Sequence, residues 1–251
     1  MTEPASYTLS RSPRILRILS YNVHGCVGTD RRLDPGRIAD VIAEIGPDII
    51  GLQELDVGRR RSGGIDQAEE IARRLKMDFQ FHPALRVEDE HYGDALLTSL
   101  PMRLRKAEAL PSIGEPRGAL WAEIAVGEKS IHMLNTHLGL LSRDRRQQVE
   151  HLCGPGWLGH PDLADQPVIL IGDFNSIPSS RPYRLLANRL RDTKEETGQM
   201  PPATFPSRWP LLRLDHIFVA GGPTILKTAS VTFPQARRAS DHLPLLSLVE
   251  I

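Results

Sequence analysis

The chain has 251 residues, 40% apolar and 25% charged, and its 31 basic residues balance 31 acidic ones at a pI near 7.1. That balance excludes a chain-wide electrostatic grip on nucleic acid or an anionic membrane, so contact with a polyanion has to be local. No apolar run approaches the roughly 18 residues that a bilayer-crossing helix needs, and two cysteines are too few for a disulfide framework or a thiolate metal cluster. One domain over residues 14–251, preceded by a flexible arm over 1–13, is therefore expected. Cys26 and Cys153 are expected to be free thiols in a cytoplasmic protein.

Ile15 to Tyr21 is rich in β-formers and hands over to the polar Asn22 and His24, which predicts a buried strand delivering polar groups at its end. Asp34-Pro35 then starts a helix, with Ile38, Val41, Ile42 and Ile45 on one face and Gly46-Pro47 as its stop. Asp48 to Glu54 repeats the strand pattern, apolar until it ends in polar residues. Ala68, Ile71, Ala72 and Leu75 predict a second amphipathic helix, followed by a short strand through Phe79 and Phe81 and another over 93–99. Strands over 119–126 and 130–136 are joined by the turn signal Gly127-Glu128-Lys129, and a helix is expected over about 143–152. Val168 to Ile171 is purely apolar and runs into Gly172-Asp173-Phe174-Asn175, and three more strands are predicted over 214–219, 225–233 and 243–249. Hairpins interspersed with strand-helix-strand units favour packed mixed sheets covered by helices, an α/β sandwich, over an all-parallel sheet.

Polar residues recur at these strand ends: Asn22, Glu54, His137, Asp173 with Asn175, Asp215, and Asp241 with His242. A buried carboxylate costs several kcal/mol unless it is paired or coordinates a cation. If Glu54, Asp173, Asp215 and Asp241 converge, a divalent cation is the expected partner. Oxygen donors without a Cys pair or a His-Glu-x-x-His pattern suit Mg²⁺ or Mn²⁺ rather than zinc. Taken singly, each residue also fits a structural role: Glu54 as a surface acid, Asn22 as a turn residue, His137 as a core histidine, Asp173 to Asn175 as an Asx turn.

In order, however, the segments Ser20-Tyr21-Asn22-Val23-His24-Gly25, Leu52-Gln53-Glu54, Asn135-Thr136-His137-Leu138, Gly172-Asp173-Phe174-Asn175, Leu214-Asp215-His216-Ile217-Phe218 and Ser240-Asp241-His242 strongly resemble the endonuclease/exonuclease/phosphatase superfamily. The resemblance implies a deoxyribonuclease-I-like, four-layer α/β sandwich in which two packed mixed β-sheets are flanked by helices. It implies a divalent-metal-dependent phosphoesterase, Glu54 being the principal metal ligand supported by Asn22 and Asp241. Asp173 would position or deprotonate the attacking water, Asn175 would hold the phosphate, and His242 would contact or protonate a phosphate oxygen. Asp215 would orient His242 and raise its pKa, and His137 matches the second histidine of the deoxyribonuclease branch.

Two positions stay open at this level. Asp94 stands where similar chains often carry Asn, and it either adds charge near the metal or faces solvent. Arg117 matches a segment of bacterial members and either clamps a substrate phosphate or packs on a strand edge. The superfamily acts on DNA, RNA, lipid and small-molecule phosphates, so substrate class rests on loops. Arginines at 59–61 and at 143, 145 and 146 offer local basic surface, and Trp157, Phe205 and Trp209 fall in loop-like stretches where an aromatic stacks a base, meets an acyl chain or covers the core. Nuclease-like phosphodiester hydrolysis is the leading expectation. A phosphomonoesterase or phospholipase, and a non-catalytic binding protein, are the alternatives.

Overall fold

The elements in the computed structural model, which describes residues 14–194 and 203–251, follow the local signals closely; the arm expected over 1–13 lies outside the described residues. The first sheet contains β1 (Ile15–Asn22), β2 (Ile49–Val57), β3 (Asp78–Val87), β4 (Glu90–Thr98), β11 (Thr224–Ser230) and β12 (Leu245–Glu250). The second contains β5 (Met102–Leu110), β6 (Arg117–Val126), β7 (Lys129–His137), β8 (Val168–Asp173), β9 (Arg191–Asp192) and β10 (Asp215–Ala220). Among the described residues five α-helices cover them: α1 (Pro35–Ile45), α2 (Gln67–Leu75), α3 (Ser142–Leu152), α4 (Arg181–Ala187) and α5 (Pro234–Ala239). None is long and apolar enough, among the described residues, to cross a membrane.

Caps account for the helix ends. Asp34 accepts the backbone N–H of Arg37 at 2.9 Å and Pro35 fills the first position of α1, while Gly46 ends it in the left-handed region. Asp66 caps α2 and Ser180 caps α4 through the N–H of residues Glu69 and Tyr183. Gly127, at φ 66°, opens the two-residue turn joining β6 to β7.

Strand order is β11-β12-β1-β2-β4-β3 in the first sheet and β5-β6-β7-β8-β10-β9 in the second. Each sheet holds one parallel pair, β1 with β2 and β7 with β8, joined by a crossover through α1 or α3. The layers are read from the cores. Leu16, Ile18 and Ile49 of the first sheet pack with Ile131, Ile169 and Ile217 of the second. The outer face of the first sheet meets α1, α2 and α5, and that of the second meets α3 and α4. The result is the expected four-layer sandwich.

Where expectation and structure part, packing and proline explain it. β5 is an edge strand whose residues are, except for Leu110, exposed or half-exposed, so it lacks an apolar run. The strand expected over 225–233 stops at Ser230 because Pro234 starts α5, and the strand expected from 243 begins at Leu245, after Pro244. The seven-residue α4 is too short to show a helical period.

The two sheets are locked together by a buried polar bridge at the site end. Asn135 on β7 donates to the carbonyls of Leu52 (3.0 Å) and Ala95 (2.9 Å), and accepts from Gln53 Nε2 at 2.8 Å. All three partners of Asn135 lie in the other sheet, so the bridge sets inter-sheet register as well as distance. Gly172 is the second constraint: its φ is 151°, and a Cβ there would collide with the Thr136 carbonyl oxygen on β7. Gly172→Ala is expected to cost about 3 kcal/mol of stability by forcing β7 and β8 apart, read as a lowered urea midpoint at unchanged m.

Candidate active site

The site lies where the carboxyl ends of β1, β2, β7 and β8 meet. Register alone places three of its residues side by side, because Asp173 pairs with His137 on β7 and with Asp215 on β10. The first sheet contributes Asn22 at the end of β1 and Glu54 within β2. Pairing of β2 with β4 slips between Leu52 and Leu55, and Glu54 takes φ 65° in that irregularity. A non-glycine residue in the left-handed region is strained, and here the strain turns a strand residue toward the cleft.

Hydrogen bonds join the two halves. Asn22 Nδ2 donates to Glu54 Oε1 at 2.9 Å and to Asp173 Oδ2 at 3.0 Å, while its Oδ1 accepts the N–H of His24. His137 Nε2 stands 3.5 Å from Asp173 Oδ2 and 3.9 Å from Glu54 Oε1. His242 donates Nδ1–H to Asp215 Oδ2 at 2.8 Å and points Nε2 at Asp173 Oδ2, 3.6 Å away. The backbone N–H of Asn175 caps Asp173 Oδ1 at 2.8 Å, and its side-chain amide bridges His137 Nε2 and the Leu138 carbonyl. Asn175 holds φ 46°, which Asn tolerates better than most residues.

Burial separates the protonation states. Burial pushes the Asp173 carboxyl up to about 7, against the pull of the His242 charge. Burial opposes the charge on His242 too, but Asp215 and then Asp173 outweigh it and push the imidazole up to about 10. His137 goes the other way: burial, with Arg117 and His242 adding to it, holds it well below the usual histidine range. One histidine is thus a cation and the other neutral, a few ångströms apart.

Among the described residues two groups of three side chains could hold a metal ion, Glu54 with His137 and Asp173, and Asp173 with Asp215 and His242. In the first, the neutral His137 and both acids turn donor atoms toward one another, a mutual repulsion that a cation relieves. The hard oxygen donors of Glu54 and Asp173 fit a divalent ion of the magnesium class. Asp241 belongs to neither group; it lies at the pocket rim, 3.8 Å from His24 Nδ1, with its side chain 37% exposed.

A pocket of about 700 Å³ runs over these residues. Arg117 sits in its wall, only 3% exposed, paired with Glu115 at 3.1 Å while its Nε and Nη1 have no partner. Asp94 is fully buried behind it rather than facing solvent, and burial raises its carboxyl to about 7 in spite of Arg117. Sequence reasoning passed over Tyr92 and Asp56, which share this wall with Arg61; Arg61 forks onto Asp56 at 2.7 Å and lies over the Tyr92 ring. The two-residue period that puts Tyr92 on the same face of β4 as Asp94 was the available signal. Of the three aromatics expected in loops, Trp157 is wholly buried against α3 and cannot meet a ligand, Phe205 lines the pocket with its ring 4.9 Å from His242, and Trp209 is exposed.

The chain is 28% identical over 256 residues to YbhP, an uncharacterized protein of Escherichia coli K12, covering 94% of this chain and 96% of that one. Among solved structures it resembles an endonuclease/exonuclease/phosphatase from Bacteroides vulgatus (TM-score 0.76, 17% identity, 95% of this chain and 99% of that one). It likewise resembles the mannosyl-6-phosphatase of Bacteroides thetaiotaomicron (TM-score 0.74, 21% identity, 93% and 99%). These likenesses agree with the sandwich fold. The sequence model of the Endonuclease/Exonuclease/phosphatase family matches residues 19–242, from the second half of β1 to His242, and the chain therefore belongs to that family of hydrolases acting on phosphate esters.

Proposed function

We propose that this protein is a Mg²⁺- or Mn²⁺-dependent phosphodiesterase in which a water activated at Asp173 attacks phosphorus in line. The observation that carries the reading is the convergence of Glu54 and Asp173 with a neutral His137 and a cationic His242 at the end of two parallel strand pairs. Glu54, with Asn22 and Asp241 in support, would hold a divalent ion, which would supply charge neutralisation at the phosphoryl oxygens. Asp173, whose raised pKa suits it to accept a proton near neutral pH, orients and deprotonates the water. His242 presents its Nε2–H to a phosphoryl oxygen, and Asp215 keeps that proton in place. Asn175 turns its amide from His137 to the phosphate, and the two unpartnered donors of Arg117 take a further oxygen.

A diester is favoured over a monoester by charge. The pocket wall carries Glu54, Asp56, Glu115, Asp173 and Asp241 against Arg61, Arg117 and the imidazolium of His242, so a monoanion is repelled less than a dianion. The test is turnover of bis(p-nitrophenyl) phosphate beside p-nitrophenyl phosphate. Hydrolysis of the diester is expected with Mg²⁺ or Mn²⁺, falling to background in EDTA and returning with excess Mg²⁺. A faster monoester would move the reading to the phosphomonoesterase class, and turnover indifferent to EDTA would overturn the metal-dependent mechanism.

A further inference from the structure

The loops at the two ends of the sheets expose different side chains. β6 and β10 run antiparallel to β7 and β8, so the segments before β6, after β7, after β8 and before β10 all emerge at the site edge of the second sheet. That edge exposes Ile113, Leu140, Leu141, Ile177, Trp209 and Leu211. Loops at the opposite edge expose no large apolar side chain among the described residues. Ile15, Leu104 and Leu226 are exposed on strands elsewhere, but the four most exposed large apolar side chains, Leu211, Trp209, Leu140 and Ile113, gather at this one edge, and such a cluster marks an interaction surface.

The side chains form two flanks of the pocket mouth, which both Leu140 and Phe205 line. On one flank Asp144 Oδ2 accepts the N–H groups of Ile113 and Gly114 at 3.2 and 2.9 Å, holding that loop beside Leu141. On the other, the Trp209 N–H bonds the Pro206 carbonyl and the Leu211 N–H bonds that of Phe205. This tied turn leaves Trp209 78% and Leu211 80% exposed. Next to the first flank, Arg143, Arg146 and Arg181 line a groove between the starts of α3 and α4; only Arg146 has a carboxylate partner, Glu150, among the described residues.

We propose that this edge docks on an anionic phospholipid bilayer, with Trp209 and Leu211 inserting on one flank, Ile113, Leu140 and Leu141 on the other, and the three arginines against lipid phosphates. Aliphatic side chains offer no face on which a base can stack, and in the pocket between the flanks five acids outnumber the cationic Arg61, Arg117 and His242, so a nucleic-acid strand fits less well. A lipid interface takes aliphatic residues and tryptophan together, with basic residues at the headgroups. Resting on the phosphodiesterase reading, the substrate presented there is the phosphodiester of a lipid headgroup.

Tryptophan emission tests the docking directly, because Trp121 and Trp157 are buried and Trp209 alone of the three is exposed. Titration of the full chain with vesicles of equimolar phosphatidylglycerol and phosphatidylcholine is expected to give a saturable blue shift, about a hundredfold tighter than with phosphatidylcholine alone. The double variant W209S/L211S is expected to weaken vesicle co-sedimentation about tenfold or more while turning over the soluble chromogenic diester as the parent does. With Mg²⁺, its release of headgroups from the vesicles is expected to fall in step with binding. No shift with vesicles, or a shift produced by single-stranded DNA in preference, overturns the proposal. Vesicle binding without turnover of any diester leaves the docking standing and overturns the phosphodiesterase reading; turnover without vesicle binding does the reverse.

Discussion

Asp173→Asn is expected to lower kcat on the diester by about a thousandfold, the range in which a positioned general base operates, while leaving the fold intact. Asn keeps the oxygen that accepts the Asn175 N–H and the size of the side chain, and loses the proton-accepting charge together with the Oδ2 acceptor of the Asn22 amide. Stability is expected to move the opposite way. The carboxyl rises to about 7 in the folded chain from an ordinary value near 3.9 when unfolded. Between those values the folded state holds a proton that the unfolded state has lost, so this group's contribution falls as pH rises through that window. In EDTA at pH 8 the Asn variant should therefore have a higher urea midpoint than the parent, and at pH 4 the difference should vanish. A variant that retained full activity would remove Asp173 from the mechanism.

Asp215→Asn is expected to cost about a hundredfold in kcat at pH 8 through His242, which Asp215 touches at 2.8 Å. Asp215 acts as a positioning residue. With its charge and hydrogen bond gone, burial works against the imidazolium with Asp173 and the more distant Asp241 left to oppose it, and the pKa of about 10 falls toward neutrality. Since the proposed role needs protonated His242, activity is lost as pH rises through that pKa. The alkaline limb of the kcat profile should thus move from near pH 10 toward pH 7 in the variant. A purely structural defect would lower kcat at every pH without moving the limb. Linkage gives the matching stability effect: a histidine raised from about 6.5 contributes fully below that value and loses its contribution as pH rises through about 10, so the variant's deficit should be greatest in acid and shrink in alkali.

Much of the fold was legible because its signals are local. Asp34-Pro35 and Gly46 bound α1, Gly127 turns β6 into β7, and the apolar runs of β1, β2 and β8 end where polar residues begin. β5 and α4 were not legible, one being a half-exposed edge strand and the other too short for a period. In the site, the polar strand ends named most of the residues that converge, whereas the wall of Tyr92, Asp56 and Arg61 depends on which face of β4 and which loop after β2 turn inward. Asp94 shows the limit: a carboxylate between two glycine- and alanine-rich neighbours reads equally as surface or interior until the second sheet covers it.

By itself the sequence determined the strand-end chemistry, since the placement of acids and histidines immediately after apolar runs is written residue by residue, along with the family those segments resemble. Only the tertiary structure decided how the histidines differ, because burial and the distance to Asp215 set one imidazole cationic and the other neutral, and both quantities exist only once β7, β8 and β10 lie in register. It also decided which edge exposes its apolar loops, because strand direction, which no local signal carries, sends four separate segments to the same end of one sheet.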